Sequence, residues 1–283
     1  MKNRLDIAFE RMRKDNEGAL IPLAPGDKFP FSMSMEIIDM FYEAKADALE
    51  IAIPTRYPWM EGKAMQIHQL EALEQGVGPA DSFALMQHAR QKYPDWALVT
   101  INFMGPVMTY GLDNYVASCV KASMDGADIP DYPYASSDDF LGFGRELRNN
   151  NVYFTMDITT ELAMAGENTP EYDLLVKLVQ LSGGFLFMIA QPGGISGTKD
   201  SLPIDTLKPA VERVKEIEQR FGITTPVIIV CGISSPEQVR GSIRDVGADG
   251  VMLGSAVSKR LQAGESLEKV QPFVTELKDA SRA

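Results

Sequence analysis

The sequence predicts an α/β fold, a single (β/α)8 TIM barrel with an N-terminal helix, as one domain over residues 1–283. Three observations predict it. Short apolar runs of strand length alternate with longer stretches in which apolar residues recur at spacings of three and four. The short runs are apolar on both faces, the mark of a parallel sheet covered by helices. Eight such units match the count and size of a closed barrel, which typically takes about 250 residues. The open doubly wound sheet is the competing architecture, but no GxGxxG follows the first strand, so its dinucleotide-binding form lacks its fingerprint.

The elements follow in order. NRLDIAFERM is a charged amphipathic stretch that reads as a helix and not as a signal peptide. ALIPL at 19–23 is the first strand, followed by helical spacing over 35–44. ALEIAI at 48–53 is the second, with a long loop and a helix at 81–92 after it. ALVTINF at 97–103 precedes a helix at 112–123, and the short run at 127–130 precedes one at 137–149. The fifth and sixth strands, 152–155 and 185–189, lead into helices at 172–180 and 204–220. VIIV at 227–230 is the seventh. After it Ser235 can cap a helix, Pro236 can take its first position and Glu237 its first turn, opening a helix to 246. GVML at 250–253 is the eighth strand, and a last helix covers 255–280. No linker, low-complexity segment or short repeat divides the chain.

A formal charge of −12 and a pI near 4.7 argue against nucleic acid or an anionic membrane as partner, since either needs a basic face. Any phosphate bound here has to be held locally. Cys119 and Cys231 form neither a disulfide framework nor a zinc spacing. No apolar run reaches the roughly 18 residues that would span a bilayer, so a soluble, cytoplasmic protein is expected. His68 and His88 read as packing or surface residues on helices and complete no ligand set, so no metal is expected.

In a barrel the chemistry belongs at the C-terminal ends of the strands. Glu50 stands in the second strand between Leu49 and Ile51, where it is either paired with a cation from a neighbouring strand or turned into the barrel mouth. Apolar walls favour the neutral carboxyl, the condition for a general acid or base near neutral pH. From position alone Glu61, in PWMEGK, reads as a solvated loop acid. Gly232 ends the seventh strand, and Gly254 and Ser255 end the eighth and start a helix. Small residues at adjacent strand ends let backbone N–H groups approach an anion, and a helix N-terminus adds positive potential. That predicts a phosphate site, over which a third glycine-rich loop, QPGGISGTKD at 191–200, could close. Asp131 in IPDYP is a candidate substrate contact, and Asp157 in TMDITT is a strand-end acid that could equally cap a loop.

NRLDIAFERM, ALIPLAPGD, LEIAIP, IPDYP, GGISG, GISSPEQV and GADGVMLGSAV stand in the order found in the tryptophan synthase alpha subunit family, which the chain resembles from end to end. The resemblance implies a barrel that cleaves indole-3-glycerol phosphate to indole and glyceraldehyde 3-phosphate without a cofactor. It implies that Glu50 is the general acid and base, and that Glu61 stands for the aspartate that hydrogen-bonds the indole nitrogen. It further implies that Gly197, Gly232, Gly254 and Ser255 hold the substrate phosphate, and that Phe103 and Met188 take the places of pocket aromatics.

The chain departs from the family at the indole end. The loop TRYPWMEGK carries Glu61 in place of the aspartate and adds Arg56, Tyr57 and Trp59. Pro192 replaces an arginine, PLAPGD is about one residue short, and GADIPDYP about two. In the family the loops after strands two and six dock a pyridoxal-phosphate beta subunit; a beta-type partner is thus implied, and the altered loops predict that conventional docking is lost. Three readings stay open: a lyase acting on indole-3-glycerol phosphate or a close analogue, a related barrel enzyme acting on another phosphorylated substrate, and a non-catalytic ligand-binding homologue.

Overall fold

The computed structural model describes residues 2–25, 31–132, 139–190 and 202–282. Eight strands, β1 (Ala19–Pro25), β2 (Ala48–Ala52), β3 (Ala97–Ile101), β4 (Gly126–Asp128), β5 (Tyr153–Thr159), β6 (Leu186–Ile189), β7 (Val227–Val230) and β8 (Gly250–Leu253), pair in parallel in chain order, and β8 returns to β1 to close the barrel. At that seam a Cβ on Gly250 would lie 2.6 Å from the carbonyl oxygen of Ala19, so only glycine lets the last strand reach the first.

Alternation along each strand divides the apolar side chains into two cores. One set, including Leu49, Ile51, Leu98, Met188 and Ile229, packs outward against the helices. The other, including Ile21, Val99, Phe185 and Ile228, fills the barrel. Each fully buried Leu, Ile or Phe contributes roughly 1.5–3 kcal/mol by leaving water. The N-terminal helix, Arg4–Asp15, is capped by Asn3, whose side chain accepts from Leu5 N. Its Leu5, Phe9 and Met12 plug the lower end of the barrel, with the rings of Phe9 and Phe185 6.1 Å apart. The barrel is thereby closed below and open for chemistry only at the C-terminal ends of its strands.

The lower face is stapled by three aspartates, each standing just before a strand and bonding the neighbouring strand's first amides. Asp47 accepts from Leu20 N at 2.9 Å, Asp125 from Leu98 N at 2.9 Å and Asp249 from Val227 N at 2.9 Å. Two also bind buried cations: Lys278 Nζ lies 2.9 Å from Asp47, and Arg90 lies 2.6 Å from Asp125.

Several boundaries differ from those expected from sequence. β5 runs on to Thr159, which brings Asp157 into the strand. The last helix is two, Ser255–Gln262 and Leu267–Ala280, broken where Gly264 adopts φ 82°. The helix from Pro236 ends at Arg240 and passes into a π turn, Gly241–Asp245. Lys63–Glu74 is the helix that carries His68, while the short helices Met104–Tyr110 and Thr160–Ala163 are additional to those expected. Among the described residues no helix is long and apolar enough to cross a membrane.

Candidate active site

Each strand sends one inward side chain to the cavity at the barrel mouth: Leu23, Glu50, Ile101, Asp128, Asp157, Phe187, Val230 and Met252. Three of the eight are carboxylic acids, and Glu61 reaches the same cavity from the loop after β2. No Lys, Arg or His is among the described residues that line it.

Glu50 faces inward because it shares the parity of Ala48 and Ala52, which belong to the barrel interior, while Leu49 and Ile51 face the helices. Its side chain is fully buried, and neither carboxyl oxygen has a hydrogen-bond partner among the described residues. The alternative of a neighbouring cation pairing it is therefore not what the structure has. Burial holds the Glu50 carboxyl well above the usual range, and the charges of Asp157 and Glu61 push the same way.

Glu61 is half-buried rather than a solvated loop acid. A turn from Glu61 N to Pro58 O and a bond from Gln66 Nε2 to Glu61 O fix its backbone just before the helix Lys63–Glu74. Burial lifts its carboxyl to about 7. Asp128 and Asp157, on adjacent strands, are hydrogen-bonded to each other. Burial first, and then its two acidic neighbours, keep Asp128 protonated well above the ordinary aspartate range, while burial raises Asp157 to about 6.

The opposite wall is built from backbone. At the end of β7 the chain turns through Cys231 at φ 68° and Gly232 at φ 113°, conformations that side chains disfavour. Gly254 occupies the N-cap of Ser255–Gln262 and supplies no side chain to its amides. Gly232, Gly254 and Ser255 all line the cavity, so two strand ends and a helix N-terminus converge on one spot. Gly197 and Pro192, with the loop 191–200, lie outside the described residues.

Two expected pocket residues are placed elsewhere. Met188 is fully buried in the outer core under the helices, and the residue β6 turns into the cavity is Phe187. Asp131 accepts from Met104 N at 2.7 Å and lines a neighbouring groove with Arg56, Tyr57 and Trp59, not the barrel cavity. Phe103 stands between the two and lines both, its ring 6.3 Å from that of Trp59. Sequence reading passed over Asp128. The signal that singled out Glu50, an acid within an apolar strand, was present there too. Among the described residues no group of three or more His, Cys, Asp or Glu side chains is arranged to hold a metal ion.

The acids give stability a definite pH dependence. Their unfolded values lie near 4, whereas burial raises Asp157 to about 6 and Glu61 to about 7, and raises Glu50 and Asp128 well above the ordinary carboxyl range. The folded state thus holds more protons than the unfolded chain between these values, so stability is greatest at the acid end of that window and falls as pH rises through it. Melting temperature is expected to drop by several degrees from pH 5.5 to pH 8, and Glu50→Gln combined with Asp128→Asn to flatten the slope. A melting temperature that is constant or rises over that window would contradict the assignment.

A profile of the family described as "Tryptophan synthase alpha chain" matches residues 9–282. The chain is 30% identical to a tryptophan synthase alpha chain from Citrobacter koseri over 287 residues and 27% identical to one from Vibrio vulnificus, in each case over 99% of both chains. A solved structure of tryptophan synthase from Mycobacterium tuberculosis superposes with a TM-score of 0.83 at 23% identity over the whole of both chains, a likeness of fold.

Proposed function

Since the chain belongs to the tryptophan synthase alpha chain family, we propose that it is a carbon–carbon lyase performing retro-aldol cleavage of indole-3-glycerol phosphate or a close analogue, with Glu50 moving the protons. The observation that carries this reading is the Glu50 carboxyl itself, fully buried, without a partner among the described residues and lining the same cavity as Gly232, Gly254 and Ser255. Such a group costs stability and is useful only if something else occupies the cavity.

Glu50 starts protonated, as its raised pKa favours. It gives that proton to the ring carbon bearing the glycerol chain, and the ring nitrogen becomes cationic. Glu61, ionised in part near neutral pH, accepts the N–H and offsets the charge. The Glu50 carboxylate then takes the proton of the side-chain hydroxyl. The carbon–carbon bond breaks, its electrons return to the ring, and the aldehyde leaves as glyceraldehyde 3-phosphate. One proton enters and one returns, so no cofactor is needed. Backbone amides at Gly232, Gly254 and Ser255 would hold the phosphate throughout.

The finer reading of the partner is that the protein turns over its substrate without a docked beta subunit, because Arg56, Tyr57 and Trp59 replace the family's residues on the loop that would meet one, and an interface depends on a few matched anchors. Incubation of the protein alone with indole-3-glycerol phosphate is expected to release indole and glyceraldehyde 3-phosphate in equal amounts. Gly254→Asp, whose Cβ meets only Leu23 at 3.8 Å, should fold and raise KM about tenfold or more by placing a charge beside the phosphate. Release of neither product, with or without a beta subunit, would sink the proposal. Release only in the presence of a beta subunit would remove the independence.

A further inference from the structure

In a closed ring of eight strands β4 lies across from β8, so Asp128 faces the wall that carries Gly254 and Ser255, and Asp157 on β5 stands next to it. The side of the cavity away from the phosphate seat, where the rest of the substrate has to lie, is therefore acidic. Asp128 is 1% exposed and is hydrogen-bonded to Asp157 and to the Thr155 hydroxyl, yet Asp128 Oδ1 and Asp157 Oδ2 are buried without a partner among the described residues. No cation among the described lining residues approaches them. A bare hydrocarbon edge laid against this wall would leave both acceptors unpaired, whereas an edge carrying O–H or N–H groups would pair them.

We propose that Asp128 and Asp157 are specificity-determining residues that accept hydrogen bonds from hydroxyl or amino substituents on the ring half of the substrate, so that the preferred substrate is a donor-bearing indolyl glycerol phosphate and not the unsubstituted compound. This rests on the lyase reading above. A site built around buried acceptors discriminates strongly against an analogue that lacks the donors, more strongly than an apolar pocket discriminates between hydrocarbons of different size. The pair also explains why only one of three buried acids is needed for proton transfer: Glu50 acts at the reacting carbon, and the other two read the ring.

The test assays the full-length protein with indole-3-glycerol phosphate and with its ring-hydroxylated and ring-aminated derivatives, and measures calorimetric binding of the corresponding free indoles. At least one donor-bearing substrate is expected to exceed the unsubstituted one in kcat/KM by about a hundredfold or more. The double change Asp128→Leu with Asp157→Val should erase or invert that ratio. The isosteric single changes Asp128→Asn and Asp157→Asn, which keep the packing should the double variant fail to fold, should each shrink it at least about tenfold. Efficient Glu50-dependent cleavage of the unsubstituted compound, with every derivative equal or poorer, overturns the inference and leaves the lyase reading standing. So does a ratio that the aspartate variants leave unchanged, as expected if water alone satisfies the two oxygens. Failure to cleave any member of the series overturns the lyase reading and the inference with it.

Discussion

Glu50→Gln is expected to lower turnover by at least about a hundredfold, the scale on which one positioned proton-transfer group contributes. Glutamine keeps the shape of the side chain and loses only the labile proton. The native carboxyl makes no hydrogen bond among the described residues, so its replacement by a neutral amide removes no such contact and, at high pH, removes the burial cost and like-charge repulsion of the ionised form. The melting temperature at pH 8 should therefore stay level or rise while activity collapses. That opposition separates a chemical role from a structural one: a residue that merely supported the fold would lose both together. The split between kcat and KM adds a second check, since loss of a group that acts only in the transition state lowers kcat and kcat/KM equally. Turnover within a few fold of the parent would move the proton transfers to another acid of the cavity.

Asp125→Ala has the opposite signature, a large loss of stability far from the chemistry. Asp125 holds Leu98 N at 2.9 Å, Arg90 at 2.6 Å and Arg4 at 2.9 Å, all at the lower face of the barrel. Alanine leaves the buried Arg90 guanidinium without the carboxylate it pairs with and the Leu98 amide of β3 without its side-chain acceptor. Removing one partner of a buried pair costs about 3–5 kcal/mol, which for a chain of this size is roughly a 10 °C fall in melting temperature. The denaturant midpoint should fall with its slope unchanged, and kcat of the folded fraction should be preserved. A loss below about 1 kcal/mol would mean that the exposed flank of Arg90 is solvated well enough to do without the carboxylate.

The two residues illustrate what could be read in the sequence. Glu50 was legible because an acid breaks an otherwise apolar run, and such a break has few explanations. The same break at Asp128 went unread, because GADIPDYP also offered Asp131, a strand-end acid in a more familiar setting; in the fold Asp131 faces a different groove. Asp157 falls beyond the apolar run at 152–155 that marks the fifth strand in the sequence, although β5 continues past it to Thr159. At β6 the choice between Phe187 and Met188 could not be made locally. In FLFMI every residue is apolar, so the period of two that marks an inner and an outer face is absent, and only the pairing of β6 with β5 and β7 decides which side chains turn inward.

The sequence by itself determined the eightfold alternation of strand and helix, the parallel barrel, and the small residues at the ends of the seventh and eighth strands. These depend on local periodicity and on backbone freedom, both written in a few consecutive residues. Only the tertiary structure decided that Glu50, Asp128 and Asp157, which span more than 100 residues of chain, meet in one cavity with Glu61 and without a cation among the described lining residues. Closing the sheet converts sequence distance into angular position around the barrel. The burial that this closure imposes, more than any feature of the residues themselves, raises their proton affinities and leaves both Glu50 oxygens, Asp128 Oδ1 and Asp157 Oδ2 without a partner among the described residues.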